Sequence, residues 1–282
     1  MIVFTLRKNI RNTVKKLKEA GKTIGFVPTM GALHPGHLAL VKKSLEENHR
    51  TVVSIFVNPT QFDNPDDLAK YPRILERDLH LLEQTDKDLL VYLPLAEDLY
   101  EGNVKAKSFD HGGLDRVMEG AYRRGHFDGV ATVVSLLFDA VQPHRAYFGE
   151  KDFQQLQIIR RLVESQNYPV DIRPVPIHRE KDGLAMSSRN LRLTEPMRKE
   201  APFIYQTLLK AKEMAEKGMK PDLIKENISL LYEKSPLRLE YFEIADEEHL
   251  RPAENFEPGK NYRAFIAAYA GDIRLIDNLR IK

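Results

Sequence analysis

The sequence has no cysteine among its 282 residues, which excludes disulfides, thiolate nucleophiles, iron–sulfur clusters and cysteine-based zinc sites together. A reducing, intracellular setting is compatible with that. Charge of one sign is also missing. Lys and Arg number 43 against 41 Asp and Glu, so no whole-molecule basic field exists for nucleic acid or an anionic membrane, and any anion site has to be local. No stretch approaches eighteen uninterrupted apolar residues. The opening MIVFTLRKNI has neither an h-region nor a small-residue cleavage site, so the expected location is the cytoplasm. Low-complexity runs and internal repeats are absent as well. With 42% apolar and 30% charged residues, what is present is a globular chain long enough for two domains, each with its own core.

Short apolar runs alternate with helical patterns through the first 180 residues or so. Strands are expected at Thr23 to Val27, at Thr51 to Val57, whose near-continuous apolar character suits a strand covered on both faces, and at Asp88 to Leu93. Between them, Leu38, Val41 and Leu45 share one helical face within His37 to Asn48, and Leu75, Leu79 and Leu82 share another within Tyr71 to Gln84. After an irregular, glycine-punctuated stretch, a helix is expected over Gly129 to Val141, a strand at Arg145 to Phe148, a helix burying Leu156, Ile159 and Val163, and an extended segment from Pro169 to Ile177. Repeated β-α units predict a Rossmann-like parallel sheet that binds ligands at the carboxyl ends of its strands. Residues 1–177 are read as that α/β domain. Residues 178–282 are read as a smaller α+β domain: helices over Pro196 to Lys217 and Pro221 to Lys234, then strands at Leu237 to Ile244, Asn261 to Ala270 and Asp272 to Arg280. Only Gly271 separates the last two, which makes them antiparallel neighbours.

Four stretches carry candidate chemistry. KTIGFVPTMGALHPGH, residues 22–37, runs from a strand through a glycine-rich turn into a helix, an arrangement that aims main-chain N–H groups and a helix dipole at phosphate. His34 and His37 stand where the phosphates would be. An isolated HxxH pair fits a tight turn with a capping histidine equally well, and zinc is disfavoured because the glutamate of HExxH is missing. Asn58-Pro59-Thr60-Gln61 follows a buried strand and offers amides that suit a ligand with hydroxyls and a carboxylate. Gly149-Glu150-Lys151-Asp152, followed by Gln154 and Gln155, looks like a phosphate cradle but lacks the spacing of a Walker loop. Met186-Ser187-Ser188-Arg189 brings two hydroxyls and a guanidinium to a loop between the domains, and Arg123 is a further candidate anion contact. Each taken alone fits ordinary loop chemistry.

Together the segments PTMGALHPGH (28–37), SIFVNPTQF (54–62), YPR (71–73), GHFDGVATVV (125–134), FGEKDFQQL (148–156) and DGLAMSSRN (182–190) resemble, in order, the pantothenate synthetase family. These are the pantoate–β-alanine ligases of the adenylate-forming HxGH nucleotidyltransferase superfamily. The HxGH element alone identifies only the superfamily; the ordered set is far more specific. The resemblance implies a Rossmann-like domain with a smaller C-terminal lid, a cytoplasmic homodimer, and a two-step reaction of ATP, pantoate and β-alanine through a pantoyl adenylate. It also implies site residues. Met30, Gly31, Ala32, Leu33, His34, Pro35, Gly36 and His37 would line the ATP site, with His37 as proton donor. Gly149, Glu150, Lys151, Asp152, His178, Met186, Ser187, Ser188 and Arg189 would complete it. Lys151, Ser187, Ser188 and Arg189, with His34 and His37, would act on phosphoryl charge. Gln61 and Gln155 would hold pantoate, with Asn58 nearby and Gln61 bordering β-alanine. Mg²⁺ would arrive with ATP, held largely by phosphate oxygens and water.

The chain departs from the family pattern at His178, commonly valine near the adenine, and at Asp63, where glycine is frequent; Pro35 fills the variable position of HxGH. Two alternatives stand beside this reading. Another HxGH nucleotidyltransferase acting on a phosphorylated metabolite predicts cationic contacts in place of Gln61 and Gln155. A non-catalytic nucleotide-binding module has no need to keep His37, Lys151, Gln61 and Gln155 together. An aminoacyl-tRNA synthetase would require a basic RNA face, which the balanced charge does not supply.

Overall fold

A computed structural model describes residues 1–282. The chain forms two compact units: residues 1–150 with 155–176, and residues 151–154 with 177–282. The first unit contains β1 (Ile2–Phe4), α1 (Arg7–Glu19), β2 (Ile24–Thr29), α2 (Pro35–Glu47), β3 (Arg50–Ile55), α3 (Pro65–Lys70) and α4 (Leu75–Thr85). It continues through β4 (Leu90–Tyr92), α5 (Ala96–Leu99), α6 (Met118–Tyr122), α7 (His126–Val141), β5 (Arg145–Gly149), most of α8 (Phe153–Ser165) and β6 (Asp171–Val175).

Its strands form one parallel sheet in the order β1-β4-β3-β2-β5-β6. Leaving β1 aside, this is the doubly wound order, and the reversal point lies between β2 and β5. The central strands are buried along most of their length because helices cover both faces: the core gathers Val27, Val53 and Val91 from the sheet with Leu33, Leu40, Val41 and Leu82 from the elements above it. The turn after β2 and the end of β5 therefore flank the crevice where such sheets take ligands.

Several elements differ from the sequence expectation. The sequence reading has no element over 2–19, yet β1 is an edge strand and α1 a full helix. The helix expected from Tyr71 begins only at Leu75, since Pro72 interrupts it, and Leu75 itself is 45% exposed; the buried face centres on Asp78 and Leu82. The helix burying Ile159 uses Leu162, with Val163 only half-buried.

The second unit contains α9 (Glu195–Glu200), α10 (Phe203–Glu216), α11 (Pro221–Glu233), β7 (Arg238–Asp246), β8 (Tyr262–Ala270) and β9 (Ile273–Arg280). Pro202 divides what the sequence reads as one helix from 196 to 217. The three strands form an antiparallel sheet, β7-β8-β9, whose apolar face packs on Ile204, Leu208, Ala211, Ile224 and Ile228.

Helix α2 carries the two histidines at its N-terminal end, and its far end is fixed by the sheet. Glu47 accepts from the Tyr147 hydroxyl (2.9 Å) and from Arg173 through Nε and Nη2 (3.1 and 3.3 Å). Arg145 donates to the Glu47 carbonyl at 2.9 Å, placing a cation where the helix dipole is negative. Arg173 holds the Glu47 carboxyl down to about 2, below its ordinary 4.5. A carboxyl depressed in the folded state contributes stability above its unfolded value and loses it as pH falls through the folded one. Glu47→Gln is therefore expected to be less stable than wild type at pH 7, by on the order of 1 kcal/mol. That gap should close as pH drops from 4.5 to about 2. Urea unfolding across pH checks it; a gap independent of pH contradicts the assignment.

Candidate active site

The chain leaves β2 at Thr29 and turns through Gly31 (φ 81°) and Ala32 (φ 47°), two consecutive left-handed residues, before α2 starts at Pro35. Glycine takes this conformation freely; Ala32 does so at a cost of about 1 kcal/mol. The turn is held from below. Thr29 Oγ1 donates to the Ser54 carbonyl (2.8 Å) and accepts the Gly31 N–H (3.2 Å). Asp78, 1% exposed on α4, accepts the Ala32 N–H at 2.8 Å and the Leu33 N–H at 2.7 Å. Burial pushes the Asp78 carboxyl up, and the two amides oppose that shift.

The His34 N–H donates to His37 Nδ1 at 3.4 Å, and the two rings lie 4.0 Å apart, centroid to centroid. Because Nδ1 accepts, the neutral His37 ring carries its proton on Nε2. The His34 carbonyl in turn accepts the His37 and Leu38 amides at 2.8 and 3.2 Å. The amides of Gly31, Ala32, Leu33 and His34 are thus all engaged by protein acceptors. The sequence reading expects this turn to aim main-chain N–H groups at phosphate; in the structure Thr29, Asp78 and His37 accept the four amides from residue 31 to residue 34. Asp78 is a residue that reading misses. Its signal is an acid one turn before Leu82 on the apolar face of an amphipathic helix.

A second network surrounds Gln61. Asn58, 1% exposed and capping the 3-10 turn that follows β3, accepts at Oδ1 from the Thr60 N–H (3.4 Å), the Thr60 hydroxyl (3.1 Å) and the Tyr100 hydroxyl (2.5 Å). Its Nδ2 donates to the Gly129 carbonyl (3.2 Å) and to Gln61 Oε1 (3.1 Å). A backbone N–H only donates, so the oxygen of Asn58 must face Thr60 and its nitrogen must face Gln61. Gln61 then turns its own oxygen inward and keeps Nε2 as an outward donor, which reaches Met30 Sδ at 3.1 Å. This contact joins the histidine turn to the Gln61 turn. Asn58, expected near the substrate, orients the Gln61 side chain through Nδ2.

Helix α7 backs the same turn. A Cβ at Gly129 would lie 2.2 Å from the Thr60 carbonyl oxygen, so only glycine admits the approach. His126 Nδ1 donates to the Gln61 carbonyl at 2.8 Å, and its Nε2 accepts from Arg123 at 3.1 Å. Arg123 also meets Asp63 (3.4 Å), Glu119 (3.6 Å) and the Gln61 carbonyl (3.4 Å). Expected as an anion contact, Arg123 braces the turn, with two carboxylates opposing its charge. Gln155 is half-buried in the first turn of α8, and Gly149 closes β5 beside Val175.

In the second unit, residues 178–186 fold back on themselves: the His178 carbonyl accepts the Met186 N–H at 3.0 Å, and the His178 side chain is exposed. Ser187 Oγ accepts the Arg189 N–H at 3.2 Å and so caps the short 3-10 helix of residues 188–192, with Ser188 buried. Lys151 and Asp152, with Glu150 before them, form one 3-10 turn. No group of three or more His, Asp or Glu side chains is arranged to hold a metal ion.

The doubly wound sheet and the histidine turn at its reversal point define a class: Rossmann-like α/β proteins carrying an HxGH element. Within that class the sequence matches the pantoate-beta-alanine ligase family over residues 2–280. The chain belongs to the pantoate–β-alanine ligase family. A pantothenate synthetase of Christiangramia forsetii is 50% identical over 281 residues, spanning 100% of this chain and 99% of that protein. One of Fervidobacterium nodosum is 51% identical over 275 residues, spanning 96% and 97%. Among solved structures, pantothenate synthetase from Thermus thermophilus gives a TM-score of 0.91 at 41% identity, over 100% of this chain and 99% of that one. Pantoate-beta-alanine ligase from Francisella tularensis, complexed with beta-gamma ATP and beta-alanine, gives 0.82 at 34% identity, over 99% and 97%.

The orientation of Gln61 generates a test. Asn58→Asp replaces the donor facing Gln61 by an acceptor and should turn the Gln61 amide around. The pantoate KM is expected to rise by roughly tenfold or more, with the ATP KM changed far less. Steady-state kinetics check this; an unchanged pantoate KM would contradict the combined reading that Asn58 sets the amide and that the amide meets pantoate.

Proposed function

We propose that this chain joins pantoate to β-alanine at the expense of ATP, releasing AMP and diphosphate. A pantoate carboxylate oxygen forms a bond to the α-phosphorus as the bond from that phosphorus to the bridging oxygen breaks, and diphosphate leaves with the electron pair. The product is pantoyl adenylate. The neutral β-alanine amine then attacks the acyl carbon, the bond from carbon to the phosphate oxygen breaks, AMP departs, and the amine loses a proton. A carboxylate is a poor acyl donor until its oxygen becomes part of a leaving group, and adenylation supplies that.

The observation that carries this reading is Gln61 Nε2 against Met30 Sδ. An amide donor, aimed by Asn58, rests on a weak acceptor beside the histidine turn, where a substrate carboxylate or hydroxyl oxygen makes the better partner. A ligand phosphorylated at this position would call for a cation, and Arg123 is already opposed by Glu119 and Asp63. That favours pantoate over the phosphorylated substrate of another HxGH nucleotidyltransferase. Family membership supports the same assignment.

The residue roles are those that the family resemblance implies. His37, with its proton on Nε2, and His34 donate to phosphate oxygens, His37 serving as the proton donor. Lys151, Ser187, Ser188 and Arg189 stabilise phosphoryl charge, because such transfers depend on positioning and electrostatics more than on covalent chemistry. Gly149, Glu150, Asp152 and Met186 line the nucleotide, and His178 lies by the adenine. Gln61 and Gln155 hold pantoate. Mg²⁺ enters as Mg·ATP, held largely by phosphate oxygens and water. The enzyme works as a homodimer in the cytoplasm. No helix of the chain is long and apolar enough to cross a membrane.

Purified protein with Mg·ATP should form AMP and diphosphate only when pantoate is added, and pantothenate only when β-alanine joins them. Chromatographic detection of the four species decides the matter. Consumption of ATP that ignores pantoate, or none at all, would overturn the reading.

A further inference from the structure

Lys151 is separated from β5 only by Glu150, yet residues 151–154 belong to the second unit. Two contacts tie this segment there. Asn278, buried on β9, donates through Nδ2 to the Lys151 carbonyl at 2.8 Å. Phe153 lies under the Arg263 guanidinium, 4.1 Å from its ring centroid, and 6.0 Å from the ring of Phe265.

The two contacts meet at one residue. Arg263, buried on β8, donates from Nη1 to Asn278 Oδ1 at 2.5 Å and from Nε to Glu247 at 2.8 Å. A guanidinium has no acceptor, so the Asn278 oxygen must face Arg263 and its nitrogen must face Lys151. On the main-chain side, the Asn278 N–H donates to Asp277 Oδ1, and Arg179 donates to both Asp277 oxygens (2.6 and 3.0 Å) and to the Asn278 carbonyl (3.3 Å). Asn278 is therefore fixed in position and in the sense of its amide, with Nδ2 donating to the Lys151 carbonyl.

We propose that Asn278 is the positioning residue for Lys151: by gripping the lysine's carbonyl it sets where the ammonium group stands during adenylate formation. The inference rests on the assignment of Lys151 to phosphoryl charge. It places the origin of that charge's alignment in β9, far along the sequence from every motif of the site.

The test is a double-mutant cycle on the full-length enzyme, read as the rate of diphosphate release from Mg·ATP and pantoate. Asn278→Asp keeps an oxygen for Arg263 and removes the donor to Lys151. It should lower the maximal rate by on the order of tenfold to a hundredfold with the KM values for ATP and pantoate changed by less than about threefold. Lys151→Ala should lower it by about a hundredfold or more. In the Lys151→Ala background, Asn278→Asp should change the rate by less than about twofold. Asn278→Ala repeats the cycle if the aspartate variant melts early. A wild-type rate for both Asn278 variants, with Lys151→Ala impaired, overturns the positioning role. So does an equal loss in both backgrounds, the mark of a merely structural residue. Wild-type turnover by Lys151→Ala instead removes the phosphoryl role of the lysine itself, and the proposal with it.

Discussion

Asp78 receives the amides of Ala32 and Leu33 inside the core of the first unit, and the histidine turn holds its shape because of that pairing. The energies favour it. Each hydrogen bond to a charged group contributes about 1.5–3 kcal/mol, against about 1 kcal/mol for a non-glycine residue in the left-handed region. Two such bonds outweigh the strain at Ala32, and they also satisfy a carboxylate that burial would otherwise make unfavourable. Downstream geometry follows. Leu33 is anchored in the core, His34 falls at the helix N-cap, Pro35 supplies the first helical φ, and His37 returns to meet the His34 amide. At its other end α2 is fixed by Glu47, so the histidines stand on a helix held at both ends.

The Gln61 turn obeys the same logic with a different acceptor. Groups that can only donate, the Thr60 amide and the guanidinium of Arg263, fix the sense of the two buried asparagine amides, Asn58 and Asn278. Each asparagine then passes that sense to one group given a chemical role, the Gln61 side chain in one case and the Lys151 peptide in the other. In both networks the residue assigned to substrate is the last member of a chain of partners, and the asparagine before it is buried.

Much of the architecture could be read from the chain. Parallel strands covered on both faces are near-continuous apolar runs, so β2, β3 and β4 announce themselves, and the Gly271 connection marks the β8-β9 hairpin. What escaped has thin patterning. β1 is three residues of exposed edge, and α1 buries only Ile10 and Val14 within a strongly basic segment. The site divided in the same way. The histidine turn, Gln61, Lys151 and the Met186 to Arg189 loop each sit in a short run of sequence, whereas their supports are distant: Asp78 from Ala32 by 46 positions, Tyr100 from Asn58 by 42, Asn278 from Lys151 by 127. A local motif names the groups that meet a ligand. Which of them also have partners within the protein depends on long-range pairings, such as those of Asp78 with the amides of Ala32 and Leu33 and of Arg123 with the Gln61 carbonyl.

The central claim is that the HxGH turn is built on its own amides, with Asp78 as the acceptor for Ala32 and Leu33. Amide hydrogen exchange at Ala32 and Leu33 tests it most directly. Both amides should be strongly protected in the ligand-free protein, keep that protection unchanged when Mg·ATP is added, and lose it in Asp78→Ala. Amides that exchange freely without ligand and become protected only with Mg·ATP would contradict the account.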